Sequence, residues 1–169
     1  MPCNSPVDVL DILTFFVAVA ALILSIRQFS YEKSRTRKEA TIHAFDQLST
    51  NQSVVVLFEL CKTDVDRLIN CYNNHDNRAD FSRSWTQVNS ALPLIEHFAV
   101  GINNSVYDLS ILNSMAGNQL ISTFFNCERI YDLKRFGYGR ENNYKETEKM
   151  IKCLIEYRKK NGQSIPKKS

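Results

Sequence analysis

The residues able to do chemistry are few and scattered. Five cysteines (Cys3, Cys61, Cys71, Cys127 and Cys153) contain no CxxC pair. An odd count fits no closed disulfide framework, and a reducing compartment keeps such residues as thiols. Cys127 falls on an apolar stripe, the usual place of a small buried hydrophobe, whereas Cys3 is free to pair with a second copy or stay reduced. Cys71-x3-His75-Asp76, with Cys61 ten residues upstream, is the nearest approach to a metal site, but its spacing matches no zinc signature and it reads as a polar turn. Glu96-His97 lacks the second His of HExxH, and neighbours on a helix do not share a face. A carboxylate in so apolar a helix is either an acid with a raised pKa or, the preferred reading, the partner of an Arg from a neighbouring helix.

Glu128 to Arg140 (ERIYDLKRFGYGR) interleaves Arg129, Lys134, Arg135 and Arg140 with Tyr131, Phe136 and Tyr138. Charge alternating with rings binds single strands of nucleic acid. A helix end followed by a glycine turn, with bases near the last carbonyls or facing anionic lipid, explains the same residues and is preferred, so nucleic acid is not an expected partner. No Gly-rich phosphate loop, GxSxG elbow or recognisable triad occurs. No residue is therefore assigned to catalysis, to a cofactor or to a metal.

The elements that position these residues begin with an apolar run. Ile12 to Ile26 (ILTFFVAVAALILSI) lacks charge, Gly and Pro, and Val7, Val9 and Leu10 extend it. Counted from Val7 it reaches the roughly 20 residues that cross a ~30 Å hydrocarbon core. Ser5-Pro6-Val7-Asp8 has the order of a helix start at Pro6, with Ser as N-cap. A cleaved secretory signal carries its positive charge before the apolar run, and here the order is reversed. Arg27, Lys33, Arg35, Arg37 and Lys38 follow the run and only acids precede it, which puts the N-terminus outside and the long C-terminal part in the cytoplasm, on the inner face of the cell membrane. The same five bases are a candidate contact for anionic lipid. Ala21-x3-Ser25 is a small-xxx-small pair that lets two membrane helices approach.

The remainder reads as all-α, a small antiparallel helical bundle whose first helix is continuous with the membrane helix to about Leu48. Ile42, Phe45 and Leu48 give that extension an apolar stripe. Val55, Phe58, Val65, Leu68 or Ile69, and Tyr72 outline a second helix with Lys62 as its polar interruption, ending in the turn-forming Asn73 to Asn77. Trp85, Val88, Leu92, Ile95, Ala99 and Ile102 recur at steps of three and four around Pro93, which either kinks or starts that helix. Leu109 to Tyr131 outline a fourth helix, which Gly117 weakens by about 1 kcal/mol, and Thr147 to Ile155 a fifth. The organisation expected is an external N-terminus over 1–6, a membrane helix over 7–27, a cytoplasmic bundle over 28–160 and a disordered basic tail over 161–169.

A chain of 169 residues, 44% hydrophobic and 23% charged with five Gly and four Pro, holds one ordinary domain plus an appendage, and is neither a disordered tail nor a low-complexity protein. A net charge of +3 is too small to imply nucleic acid. It is unevenly spread: four bases and nine acids lie between 40 and 128, and twelve bases and five acids after them.

With the anchor, the Arg35 to Thr41 segment (RTRKEAT), the run Leu94 to Ile102 (LIEHFAVGI), Val106-Tyr107-Asp108 and the late Asn143-Tyr144 in view, the chain resembles bacterial and phage proteins grouped as a domain of unknown function, each with one N-terminal span and a helical cytoplasmic domain. The resemblance covers about Val7 to Ile155. It implies that architecture and a phage-associated setting, and it adds no catalytic residue. Three functional readings follow. The first is a single-pass anchored interaction or regulatory module whose partner is another protein or a second copy. The second is a membrane-tethered enzyme or nuclease-like effector using Glu96, His97 or Arg129 to Arg140. The third is a membrane-acting toxin or exclusion factor working through residues 7–26.

Overall fold

Between Val7 and Leu92 the chain has neither Gly nor Pro, so nothing in its backbone chemistry stops a helix at the end of the apolar run. In the computed structural model, which describes residues 9–63, 65–73, 79–136 and 143–167, the chain opens with a helix of 42 residues, α1 (Val9–Thr50). The expected helix start at Pro6 and the expected external segment lie outside the described residues. There follow α2 (Gln52–Thr63), α3 (Val65–Asn73), α4 (Ala79–Asn103), α5 (Leu109–Phe136) and α6 (Lys145–Lys160). The protein is all-α, with no strand among the described residues.

The chain divides into two compact units, Met1–Arg37 and Lys38–Ser169. In the first, Leu13, Phe15, Phe16, Leu22, Leu24 and Ile26 are each 61–65% exposed. Ile12–Thr50 is, among the described residues, the helix long and apolar enough to span a membrane, with a mean hydropathy of 2.1 over its most apolar window and none of that window buried. The Ser25 hydroxyl donates to the Ala21 carbonyl at 2.9 Å, which satisfies it within its own helix.

The second unit closes a core of its own. Phe45 and Leu48 from the end of α1, Leu57 and Phe58 from α2, Leu68 and Ile69 from α3, and the whole Val88, Leu92, Ile95, Ala99, Ile102 stripe of α4 are buried, with Leu112, Ile121 and Ile130 from α5 and Met150, Ile151 and Leu154 from α6. α4 runs through Pro93. Pro93 and Asn89, whose carbonyl loses its donor, both lie on the exposed face, where water takes over the missing bond.

Two details differ from the periodic reading. The second stripe holds at Phe58, Leu68 and Ile69 but is off by one residue at two places: Val54 and Cys61 are buried where the periodic reading puts Val55 and Lys62, and Val55 is 38% exposed, so Lys62 is a solvated residue and interrupts nothing. That stretch is also two helices, the first ending where the Thr63 hydroxyl donates to the Glu59 carbonyl at 3.1 Å, a back-bond that loosens the last turn. Residues 161–167, read as the start of a loose tail, fold back on the bundle. Gly162 at φ 65° is the left-handed residue that ends α6, the Gln163 amide donates to the Arg158 carbonyl at 2.9 Å, and Ile165 packs on the core.

Candidate functional site

Glu96 stands half-buried on α4 and faces the start of α6. The residue in the N-cap position of α6, Tyr144, has φ 63° and supplies no side-chain cap. Glu96 supplies one from another helix: its Oε1 accepts the Glu146 amide at 3.0 Å, and its Oε2 accepts the Thr147 amide at 2.8 Å and the Thr147 hydroxyl at 2.6 Å. The partner of this carboxylate is therefore a helix N-terminus, which favours negative charge, and not the Arg expected from the sequence. Asn103, two turns along α4, donates its Nδ2 to the Glu146 carbonyl at 2.8 Å and to Oε2 of the same residue at 2.7 Å. Beneath them the buried Tyr131 hydroxyl has its pKa pushed well up, by burial first and then by the Glu96 carboxylate, so it remains a neutral phenol. His97, the next residue, is exposed to solvent.

The rest of this seam is made of the residues that carry the family resemblance. A Cβ on Gly101 would lie 2.3 Å from the Tyr107 ring, so the glycine admits that ring, which stacks on Phe98 at 5.3 Å. The Gly101 carbonyl accepts both the Val106 and the Tyr107 amides. Asp108 caps α5 through the Ser110 amide at 2.9 Å, and its own amide donates to the hydroxyl of fully buried Thr41 at 2.7 Å. Arg135 closes the other side: Nε donates to the Asn143 carbonyl at 2.8 Å, Nη2 to the Tyr144 carbonyl at 3.0 Å, and Nη1 pairs with Glu148 at 3.1 Å. The Lys152 ammonium hydrogen-bonded to Glu148 at 2.7 Å, helped by Arg135, holds that carboxyl below its ordinary value.

The basic-aromatic segment is thus dispersed. Arg135 is an internal clamp, and the Lys134 ammonium lies 4.7 Å over the Trp85 ring, a cation–π contact backed by Tyr72 at 4.8 Å. Arg129 is exposed and paired with Asp66. Arg140 lies outside the described residues. Arg27, Lys33, Arg35 and Lys38 are exposed on α1, and Arg37 is half-buried. Phe29 and Tyr31, 70% and 72% exposed, stand among them.

Cysteine chemistry departs from the expectation of thiols throughout. Cys61 and Cys127 are both buried and form a disulfide, with their Cα atoms 5.7 Å apart, inside the usual range for such a bond. Residues 66 apart in sequence are brought together only by the packing of α2 on α5. Cys153 is free and half-buried, while Cys3 and the His75-Asp76 turn lie outside the described residues. Among the described residues no group of three His, Cys, Asp or Glu is placed to hold a metal.

The family described as Domain of unknown function (DUF4760) matches residues 15–153, a stretch that takes in most of the apolar run of α1, the Glu96 seam and the first half of α6. No curated protein and no solved structure matches the chain.

Proposed function

The chain belongs to the DUF4760 family, and we propose that it is a single-pass membrane protein whose cytoplasmic helical bundle is a binding module for another protein or for a second copy of itself. The observation that carries this reading is the apolar half of α1, whose side chains are left exposed while Lys38–Ser169 forms a compact unit with its own core. Exposed apolar surface on that scale, in a helix of spanning length, is matched by lipid. Five bases directly after the apolar run set the direction, and Phe29 and Tyr31 mark the interface.

The use made of Glu96 counts against it as the acid or base of a tethered enzyme. Its two carboxylate oxygens are occupied by the start of α6, so it is engaged in architecture rather than held ready for proton transfer. The Cys61–Cys127 disulfide is the observation that sits least easily with a cytoplasmic bundle, since glutathione and thioredoxin act there; in this reading the pair is oxidised only under oxidising conditions and otherwise packs as two small hydrophobes. A phage-associated role belongs to this reading through the family resemblance, and comparing phage plating on cells with and without the protein examines it. The direct test is an alkaline carbonate wash of membranes combined with cross-linking in intact cells. Retention in the pellet with a discrete cross-linked dimer or heteromer is expected, and release by carbonate, or a monomer only, would sink the proposal.

A further inference from the structure

Arg158 stands in the last turn of α6 yet is only 7% exposed. A guanidinium cannot shed its charge, so burying it is costly unless a counter-charge or a full set of hydrogen bonds replaces its water. Among the described residues no carboxylate pairs with it. Its Nε donates to the Ser164 carbonyl at 2.8 Å and its Nη1 to Asn113 Oδ1 at 2.9 Å, which engages two of the five donors a guanidinium carries. Both acceptors are neutral. The last carbonyls of α6 offset part of the charge, and fastening the folded-back tail accounts for the two bonds made, but neither supplies an anion.

The surroundings are shaped to receive one. Arg158 lines a hollow of about 540 Å³ together with Asn113, Ser114, Gly117, Asn118 and Gln163, and among the described residues no acidic one lines it. Asn113 is itself buried and is held by Gln163 at 2.9 Å, which fixes its oxygen toward the guanidinium. Gly117 keeps this floor open, because a Cβ there would lie 2.5 Å from Asn113 Oδ1 and 3.2 Å from Arg158 Nη1. The volume falls in the range of small-molecule sites. The amide and hydroxyl side chains around it suit a hydroxyl-bearing body, and among the described residues no aromatic side chain lines it to stack a nucleobase.

We infer that this hollow binds the phosphate of a small, hydroxyl-bearing phosphate ester, with Arg158 as the counter-charge and the Asn118 and Ser114 side chains as partners of the hydroxyls. A soluble metabolite and a glycerophosphate lipid headgroup share that chemistry. The test uses the full chain in non-ionic detergent or in neutral nanodiscs and measures binding of glycerol 3-phosphate in one arm and of phosphatidylglycerol added to the nanodiscs in the other, at fixed ionic strength set with chloride. Asn118→Asp places an acid in the hollow at an exposed helical position, where substitutions cost little stability, so the test does not depend on Arg158→Gln folding. Saturable binding in either arm that Asn118→Asp weakens at least tenfold supports the site, and the responding arm identifies the source. No binding in either arm beyond the chloride control, or binding that Asn118→Asp leaves unchanged, overturns it.

Discussion

Replacing Glu96 by Ala removes the acceptor for two amides and a hydroxyl at the start of α6, and the size of the loss can be worked from what is left behind. Tyr144 supplies no substitute cap, and Thr147 is 1% exposed, so water reaches its orphaned amide poorly. A lost N-cap costs about 1 kcal/mol, and a buried donor left without a partner costs about 1–3 kcal/mol, which together give roughly 3 kcal/mol for Glu96→Ala. Glu96→Gln keeps one acceptor and the shape but loses the charge, and should cost about half as much. For a bundle of roughly 130 residues, unfolding entropy of about 2.1 cal/mol/K per residue converts 3 kcal/mol into a fall in Tm of roughly 10 °C. The assay is thermal unfolding followed by fluorescence of Trp85, the single tryptophan of the chain, which sits in the bundle against Tyr72 and Lys134. His97→Ala, at an exposed position, is the control and should stay within about half a kcal/mol of the wild type. A Glu96→Ala protein as stable as that control would refute the capping role and return Glu96 to the candidates for chemistry.

Three further outcomes are expected. Gly101→Ala, which in an ordinary helix stabilises by about 1 kcal/mol, should here destabilise by about 1–3 kcal/mol, because the new methyl meets the Tyr107 ring at 2.3 Å; a raised Tm would contradict the packing described. Closing a loop across 66 residues contributes about 4 kcal/mol in the chain-entropy account, so the oxidised protein should lose roughly that much on reduction, whereas Cys127→Ser should show no response to reductant; equal Tm values with and without reductant would argue against the cross-link. Glu148 has a folded pKa held below its unfolded value by Lys152 and Arg135, so its contribution is complete above the ordinary carboxylate range and is lost as pH falls through the lower folded value. Denaturant titrations from pH 6 down to pH 3 should show an acid loss of about 1 kcal/mol that Glu148→Gln removes, and an identical pH dependence in the variant would exclude the assignment.

What the sequence makes legible here is local. A long apolar run with no helix breaker after it announces α1, and the strict three-four spacing from Val88 to Ile102 predicts the buried face of α4, whereas the spacing leaves open whether Pro93 bends or begins that helix, and the structure shows it inside. Registers supported by fewer apolar residues are less secure: Val54 and Val55 fit a stripe equally well, and only packing on α4 selects Val54. The long-range partnerships are not encoded in spacing at all. Glu96 meets α6 across about fifty residues of sequence, Cys61 meets Cys127 across 66, and Arg158 meets Asn113 across 45. An Arg in the last turn of a helix looks like an ordinary response to the helix dipole, and although Arg158 continues the Thr147, Ile151, Leu154 stripe at steps of four, three and four, the spacing does not say what it meets. Glutamate in an apolar stripe signals a partner without identifying it, and a glycine within a helix signals a close approach only once Tyr107 or Asn113 is seen above it.

The central claim, an anchor with its N-terminus outside and its bundle within, is tested most directly by labelling Cys3 in intact cells with a membrane-impermeant maleimide, with Cys3→Ala as the background. Cys3 is expected to be modified before the cells are permeabilised. A Cys3 that reacts only after permeabilisation would contradict it, placing the N-terminus inside and removing either the orientation or the membrane span.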